Sequence, residues 1–170
     1  MDFSESRVVL RDGSWVRLRT LDPGDSEALA ACFAGFSAEA RRVFHPHAFD
    51  ADEARARCEA AYDPERRVLV ADTSGSDAAI VGYGFWFAWR GDAPLLGLGV
   101  PDAWQGRGVG PALLEALVGM ARVAGKARGR LSVYKENDRA LRLYGAVGFV
   151  IDGETDDGLQ WTMSAVLSGT

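Results

Sequence analysis

Three alternating glycines, Gly106, Gly108 and Gly110, are the residues of this sequence whose spacing points most directly to chemistry. They stand where a predicted strand has ended and an amphipathic helix begins, so side chains do not obstruct their backbone N–H groups. The positive end of the helix dipole points at the same place, and such a turn binds phosphate. Pro111 is tolerated in the first turn of the helix because its missing N–H would have no partner there.

The class of phosphate ligand is narrowed by the patterns that this turn fails to match. A dinucleotide fingerprint requires a third glycine or alanine where Pro111 stands. A nucleoside-triphosphate loop requires Gly-Lys-Ser/Thr, whereas Gly125-Lys126 is followed by Ala127. On the glycines alone, a flexible turn without a ligand remains an equal alternative.

The elements that position this turn follow from apolar periodicity, which predicts seven strands and four helices in the order βααβββαβαββ. The predicted strands are 14–20, 67–72, 79–89, 95–100, 130–135, 149–152 and 159–166. The first predicted helix is capped by Asp25 or Ser26, carries Leu29, Cys32, Phe33 and Phe36 on one face and has Gly35 near its end. The other predicted helices are 50–62, 108–124 and 138–147. Turns are predicted at 22–24, 73–77 and 154–158. The strand-helix-strand-helix passage requires a mixed sheet, so we expect an α/β (α+β) fold with a mixed, mostly antiparallel sheet flanked by about four helices.

Length and composition place the chain in an ordinary class. The 170 residues, 48% of them hydrophobic and 25% charged, predict one globular domain over 1–170. A net charge of -5 argues against nucleic-acid and anionic-membrane partners, and it is compatible with a cationic substrate. No apolar run approaches the ~20 residues of a membrane span, and the polar start 1–6 lacks the pattern of a signal peptide, so we expect a cytoplasmic protein.

The residues that most often ligate metals give no such pattern here. Cys32 and Cys58 are too few for a disulfide framework or a thiolate site, and we interpret them as buried apolar residues on helices. His45 and His47 flank Pro46, which breaks any helix face, so they are predicted to lie in a loop. We therefore expect no metal.

Two motifs identify a family resemblance. The segment Gln105 to Gly110 matches the signature Q/R-x-x-G-x-G/A, and Asn137 to Phe149 matches N-x-x-A-x-x-L-Y-x-x-x-G-F about 35 residues later. With both motifs at this separation, the sequence resembles the GNAT superfamily of acyl-CoA-dependent N-acetyltransferases from about Ser14 to Val166. The resemblance implies a GNAT-like fold and acetyl-CoA as cosubstrate.

The same resemblance implies roles for individual residues. The family holds the CoA pyrophosphate on backbone N–H groups of the glycine turn, and it pairs the pantetheine arm with the strand before that turn. The N–H of Val100 would face the thioester carbonyl, and Tyr144 would protonate the leaving thiolate, unless it is only a core tyrosine. The residues expected to bind the coenzyme are Leu98, Gly99, Val100, Gln105, Gly106, Arg107, Gly108, Val109, Gly110 and Asn137.

The general base is the weak point of the resemblance. Many relatives have a glutamate near the position of Leu95, but this chain has Pro94-Leu95-Leu96. An amine with a pKa near 10 is mostly protonated at neutral pH, so a group must accept its proton. The proton is expected to leave through water toward Asp92, Glu154 or another carboxylate, unless the acceptor amine has a low pKa.

The acceptor is expected to be a primary amine of a small molecule or a peptide, attacked directly in a ternary complex. The aromatic residues Trp15, Phe44, Phe85, Trp86, Phe87 and Trp89 are interpreted first as core or dimer surface and second as the wall of an acceptor pocket. Glu154, Asp156 and Asp157 form an acidic turn that either is solvated or attracts a cationic amine. A homodimer is an expectation at the level of the family only.

Two alternatives remain open from the sequence. The first is a non-catalytic acyl-CoA-binding sensor or scaffold, which the absence of a carboxylate at Leu95 makes conceivable. The second is an acyltransferase of the same fold that uses another acyl-CoA or a hydroxyl acceptor.

Overall fold

The computed structural model describes residues 3–73 and 78–168. Most of the turn predicted at 73–77 and the first two residues of the polar start therefore lie outside the described residues. The strands are β1 (Ser6–Val9), β2 (Trp15–Thr20), β3 (Arg66–Asp72), β4 (Ile80–Phe87), β5 (Leu95–Gly99), β6 (Arg128–Tyr134), β7 (Val150–Glu154) and β8 (Gln160–Val166). The α-helices are α1 (Ser26–Ala34), α2 (Ala38–Val43), α3 (Ala51–Glu59), α4 (Val109–Val123) and α5 (Asp138–Gly145).

The strands form a single eight-stranded sheet in the order β1-β2-β3-β4-β5-β6-β8-β7. Every neighbouring pair is antiparallel except β5 and β6, which are parallel. This confirms the predicted mixed, mostly antiparallel sheet. The one parallel pair is where the chain crosses over through α4, as a parallel connection requires.

The parallel pair is also where the sheet opens. β5 and β6 pair at Leu95 and Arg130 only, although β5 continues to Gly99 and β6 to Tyr134. Beyond that point, the edge of β5 that faces β6 has no strand partner among residues 3–73 and 78–168. An open edge of N–H and C=O groups can pair with an extended ligand in the manner of an added strand.

The two faces of the sheet carry separate cores. On one face, α1 and α3 pack on β3 and β4 through an aromatic cluster that includes Phe33, Phe36 and Tyr83. On the other face, α4 buries the apolar stripe that the sequence predicts, with Leu113, Leu114, Leu117, Val118 and Ala121 all at most 2% exposed. Each fully buried leucine contributes about 1.5–3 kcal/mol, so this stripe fixes α4 against the sheet.

Small residues on β4 set how closely α4 approaches. A Cβ added to Gly82 would lie 2.8 Å from Cγ1 of Val109, and one added to Gly84 would lie 2.6 Å from Cδ1 of Leu117. Neither distance is tolerated by real side chains, so α4 lies directly on the backbone of β4. The start of α4, and the glycine turn before it, is therefore placed rigidly beside the open end of β5.

Two elements were absent from the sequence prediction. β1 is a four-residue edge strand in which no residue is buried, and α2 is a six-residue helix with no buried residue. Both are too short and too exposed to show a hydrophobic period. The structure therefore has eight strands where seven were predicted, and five α-helices among the described residues where four were predicted.

Asp25 is the N-cap residue of α1, one of the two positions predicted, but its side chain makes no cap hydrogen bond. The side-chain cap belongs to the 3₁₀ turn that leads into α1, where Asp22 accepts from the N–H of Gly24. The carboxylate of Asp25 instead pairs with Arg19 at 2.7 Å and accepts from the N–H of Asp22. The long predicted strand 79–89 ends at Phe87, since Ala88 takes a positive φ of 53° that a strand does not allow.

No described helix has both the length and the apolar character that crossing a bilayer requires.

Candidate functional site

The glycine turn has the backbone geometry that its sequence predicts. Gly106 has φ 78° and Gly108 has φ 105°, in the left-handed region that side chains other than glycine rarely adopt. Gly108 is the N-cap of α4, whose first turn contains no acidic residue. The N–H groups at this helix start are therefore bare and are not opposed by a nearby carboxylate of the helix itself.

A cavity of about 640 Å³ lies between this turn, the end of β5 and α5. We call it the glycine-turn cavity. Its wall contains eight of the ten residues predicted to bind the coenzyme: Leu98, Gly99, Val100, Gln105, Gly106, Gly108, Gly110 and Asn137. The two motifs, separate in sequence, thus meet on one concave surface.

Arg107 and Val109 are the two predicted binding residues whose side chains do not line this cavity. The guanidinium of Arg107 pairs with Asp12 at 2.6 Å and lies 3.9 Å from the ring centre of Trp104. The side chain of Val109 is fully buried against β4. Only their backbone N–H groups remain as candidates for ligand contact.

Gln105 connects two edges of the cavity, and Asn137 fixes the start of α5. The Gln105 amide donates to the carbonyl of Val100 at 3.0 Å and accepts from Arg139 at 2.6 Å, so it joins the end of β5 to α5. The Asn137 side chain accepts from the N–H of Ala140 at 3.1 Å and so caps α5.

Arg11 and Arg142 also line the glycine-turn cavity, and sequence reasoning missed both. Arg11 follows β1; its backbone N–H donates to the carbonyl of Arg107 at 3.0 Å, which brings a cation beside the glycine turn. Arg11 was missed because β1 was not predicted from the sequence. Without that strand, the position of Arg11 relative to the glycine turn could not be inferred. Arg142 could have been found from its position two residues before Tyr144 in the second motif.

A second cavity, of about 430 Å³, lies on the other side of Phe44, which lines both cavities together with Val43. We call it the aromatic cavity. Its wall includes Phe44, His45, Arg57, Arg66, Phe85, Trp86, Phe87, Leu95, Gly97, Tyr134, Tyr144 and Gln160.

Tyr144 lies at this cavity from α5, on the far side of the sheet opening. Its side chain is buried, its ring meets that of Phe149 edge-on at 6.0 Å, and burial raises the pKa of its phenol. The phenol keeps its proton at neutral pH, although the raised pKa also makes it a weaker acid than an exposed tyrosine. The structure thus places Tyr144 both in the core and at a cavity, where it can act as an acid.

The aromatic residues that the sequence offered as core or as the wall of an acceptor pocket fall into both groups. Phe44, Phe85 and Phe87 line the aromatic cavity. The ring of Trp86 is fully buried in the core with α4, where its Nε1–H donates to the carbonyl of Leu117 at 2.9 Å. Trp89 instead packs on Trp86 at 6.4 Å between ring centres, whereas Trp15 lies on β2 under the guanidinium of Arg7, at 3.9 Å.

Two glycines of β5 allow the rings to approach the strand. A Cβ on Gly97 would overlap the ring of Phe85, and one on Gly99 would lie 2.5 Å from Cε1 of Phe44. Because these rings lie directly against β5, the aromatic cavity reaches the same backbone that borders the glycine-turn cavity.

His45 and Tyr134 form a hydrogen-bonded pair at the aromatic cavity. Nδ1 of His45 lies 3.0 Å from the carbonyl of Arg41, and its Nε2 lies 2.9 Å from the Tyr134 hydroxyl. A carbonyl only accepts, so Nδ1 carries the proton and Nε2 accepts from the tyrosine. The pair therefore has the polarity of a proton-accepting relay.

His47 has a different environment, although both histidines lie in the loop that was predicted. Its Nε2 lies 2.6 Å from the hydroxyl of Tyr83, its ring stacks on Phe49 at 4.9 Å, and burial lowers its pKa to about 4. Among the described residues, no group of three His, Cys, Asp or Glu side chains is arranged to hold a metal.

The remaining candidate residues lie away from both cavities. Cys32 and Cys58 are buried free thiols, and burial raises their pKa to about 12 and about 11. Glu154 pairs with Lys135, and Asp157 accepts from Thr155 within its own turn. Asp92, Glu154, Asp156 and Asp157 are absent from the walls of both cavities.

Comparison with known proteins decides the family. The model of the Acetyltransferase (GNAT) family matches residues 32–149, a segment that contains both motifs and most of both cavity walls. The chain belongs to the GNAT acetyltransferase family. This GNAT protein is accordingly an N-acetyltransferase of class EC 2.3.1.

Solved structures share the fold along nearly the whole chain. The GNAT domain of Streptomyces lividans PAT is 25% identical, with a TM-score of 0.81 over 95% of this chain and 96% of that one. YncA of Salmonella typhimurium, solved with its cofactor acetyl-CoA, is 24% identical, with a TM-score of 0.73 over 91% and 95%. Spermidine N-acetyltransferase from Vibrio cholerae, solved with CoA and spermine, is 17% identical, with a TM-score of 0.72 over 89% and 95%. No curated protein sequence matches the GNAT chain.

Proposed function

We propose that this GNAT acetyltransferase transfers an acetyl group from acetyl-CoA to a primary amine, which attacks directly in a ternary complex. The observation that carries the proposal is the meeting of two cavities at Phe44 beside the open edge of β5. One cavity is suited to the coenzyme and the other to an acceptor, so both substrates can be present together.

The glycine-turn cavity has the donors that the coenzyme needs. Bare N–H groups at Gly106, Gly108 and the start of α4 face the pyrophosphate, and Arg11 and Arg142 add positive charge. The unpaired edge of β5 pairs with the pantetheine arm. In this arrangement the N–H of Val100 donates to the thioester oxygen, and one such donor contributes about 3 kcal/mol to the transition state.

The aromatic cavity supplies the acid. The amine nitrogen forms a bond to the thioester carbon, the C–S bond breaks, and the leaving thiolate takes the proton of the Tyr144 hydroxyl. Because the pKa of this tyrosine is raised, its phenolate is then reprotonated from water. The buried thiols of Cys32 and Cys58 take no part, since their raised pKa values keep them protonated and unreactive.

We assign the base to Tyr134 and His45 in place of a carboxylate. The amine passes its proton to the Tyr134 oxygen while the Tyr134 hydroxyl proton moves to Nε2 of His45, 2.9 Å away. The resulting imidazolium keeps its Nδ1–H bond to the carbonyl of Arg41. Leu95 lines the same cavity where a carboxylate is missing, so another proton acceptor is required there.

The direct test measures coenzyme binding and turnover separately. Calorimetry with CoA tests the glycine-turn cavity, and a screen of an amine library for release of free CoA tests transfer. We expect binding together with turnover of at least one primary amine. Binding without release of CoA over the whole library would indicate a sensor, and covalent acetyl on the protein after incubation with acetyl-CoA alone would contradict direct transfer.

The relay has its own test. We expect His45→Gln and Tyr134→Phe to lower kcat with little change in the affinity for CoA, and the lost rate to return as pH rises and more amine is deprotonated. An unchanged pH profile in both variants would remove the pair from the mechanism.

A further inference from the structure

Two arginines form part of the wall of the aromatic cavity. Arg57 belongs to α3 and Arg66 begins β3, and their side chains are 13% and 32% exposed. The guanidinium carbon of Arg57 lies 5.3 Å from the ring centre of Phe85, and that of Arg66 lies 5.7 Å from the ring centre of Phe87. The acceptor side therefore presents positive charge on an apolar wall.

These charges are only partly compensated by the protein. Glu53 lies 2.7 Å from Nε of Arg57, and Asp63 lies 3.6 Å from Nε of Arg66. Both Nε atoms are buried. Nε of Arg57 stays in a close ion pair with Glu53, whereas Nε of Arg66 lies beyond hydrogen-bond distance of Asp63 and makes no hydrogen bond to the described residues. Neither acid lines the cavity, so the two positive charges are balanced only from outside it.

We propose that Arg57 and Arg66 bind a carboxylate of the acceptor, so that the substrate is a small amine that also carries a carboxylate, as an α-amino acid does. This inference rests on the proposed function. Planar guanidinium groups match a carboxylate with paired N–H donors, and an apolar, desolvated wall strengthens that attraction. A cavity of about 430 Å³ accommodates a molecule of amino-acid size.

The inference reverses an expectation from composition. A net charge of -5 is compatible with a cationic acceptor, but the acidic turn at Glu154 to Asp157 lies outside both cavities. The charges that line the acceptor side are those of the two arginines. The field at the site is thus opposite in sign to the net charge of the chain.

Matched amines test the proposal. We compare each of the twenty L-amino acids with its amide, and add spermidine as a cationic amine, by following CoA release. We expect kcat/KM at least about tenfold higher for the acids than for the amides, as one charged hydrogen bond predicts. Equal rates for acids and amides, or a preference for spermidine, would overturn the inference and leave the proposed function standing.

Substitutions of the two arginines test whether they cause the preference for a carboxylate. We expect Arg57→Gln and, separately, Arg66→Gln to raise KM for the preferred amino acid about 10- to 100-fold while kcat and the rates with amides change little. Arg55→Gln is the control, since Arg55 lies on the same helix with a 63% exposed side chain that pairs with Asp52. Equal loss with acid and amide would assign the two arginines a structural role and contradict the proposal.

A binding measurement separates the two proposals. Calorimetry with N-acetyl-L-amino acids in the presence of CoA requires no turnover. If the wild type binds them and Arg57→Gln and Arg66→Gln do not, while no amine is acetylated, the carboxylate site stands and the proposed function fails. If these compounds do not bind and no amine is acetylated, both fail.

Discussion

The glycine-turn cavity and the aromatic cavity meet at Phe44 but are built in opposite ways. Most of the first comes from two continuous segments, the end of β5 with the glycine turn and the start of α5, and Arg11 and the segment 36–44 complete it. The second draws single residues or short runs from α3, β3, β4, β5, β6, α5, β8 and the end of α2 with the loop after it. A site made of backbone shows itself as glycines at fixed spacing, whereas one made of dispersed side chains has no local pattern.

The difference has a chemical reason. In the proposed function, the coenzyme presents a diphosphate and an extended arm, which N–H groups and an open strand edge of the fold would bind. The acceptor presents no such constant part. Its site is therefore set by whichever side chains the fold brings to the opening.

Tyr144→Phe should give the largest loss of activity, and the loss should affect the aromatic cavity without affecting CoA binding. Loss of the acid should lower kcat about 10²- to 10⁴-fold. The affinity for CoA should stay within a few-fold of wild type, because Tyr144 lines the aromatic cavity and not the glycine-turn cavity. Steady-state kinetics and calorimetry check both numbers. Parallel losses in CoA affinity and kcat would mean that the two cavities are not separate.

Acid should destabilise the fold through His47, which packs in the aromatic cluster with Phe33, Phe49 and Tyr83. The folded-state pKa of His47 is lowered to about 4, below the ordinary value of 6.5, so the unfolded chain binds a proton that the folded chain does not. The resulting stability is present above pH 6.5 and is lost as pH falls toward 4, by on the order of 3 kcal/mol. Urea titrations from pH 7 to pH 4 measure this loss.

The variant that tests this prediction is His47→Gln. We expect it to flatten the pH dependence of the free energy of unfolding. The same slope in wild type and His47→Gln would assign the acid sensitivity to another group.

Gly108→Val should weaken CoA binding in the glycine-turn cavity without changing the aromatic cavity. Valine at φ 105° is strained by about 1–2 kcal/mol, and its side chain would cover the N–H groups of the turn. We expect CoA affinity to fall about 10- to 100-fold. Gly125→Val carries comparable strain at φ 72° at the other end of α4, in open space, and should retain affinity. Equal loss in both variants would point to a general defect of the helix.

Arg11→Ala and Arg107→Ala should give the smallest and most discriminating difference. Arg11 lines the glycine-turn cavity, so its loss should weaken CoA binding about 3- to 10-fold, and less at high salt. Arg107 belongs to the signature motif, but its guanidinium pairs with Asp12. We expect that variant to change CoA affinity less than twofold. A larger loss of CoA affinity in Arg107→Ala than in Arg11→Ala would mean that the Arg107 side chain contacts the pyrophosphate.

The sequence by itself determined the backbone of the glycine turn and most of the elements. Glycine is required at positions 106 and 108 because the backbone there has positive φ angles. The local spacing of apolar residues predicts the buried face of α4 and the alternating burial of β2. Both motifs are local for the same reason, since each forms a turn with the helix that follows it. Such features depend on neighbours in sequence and can be predicted from them.

Only the tertiary structure decided which side chains line the aromatic cavity. Short exposed elements such as β1 and α2 have no period, so Arg11 and the loop with His45 could not be placed in advance. His45 bonds to Tyr134, and Arg57 and Arg66 lie on the same cavity wall. These residues come from elements that pack together only in the folded sheet. Long-range packing sets those distances, and no local pattern encodes it.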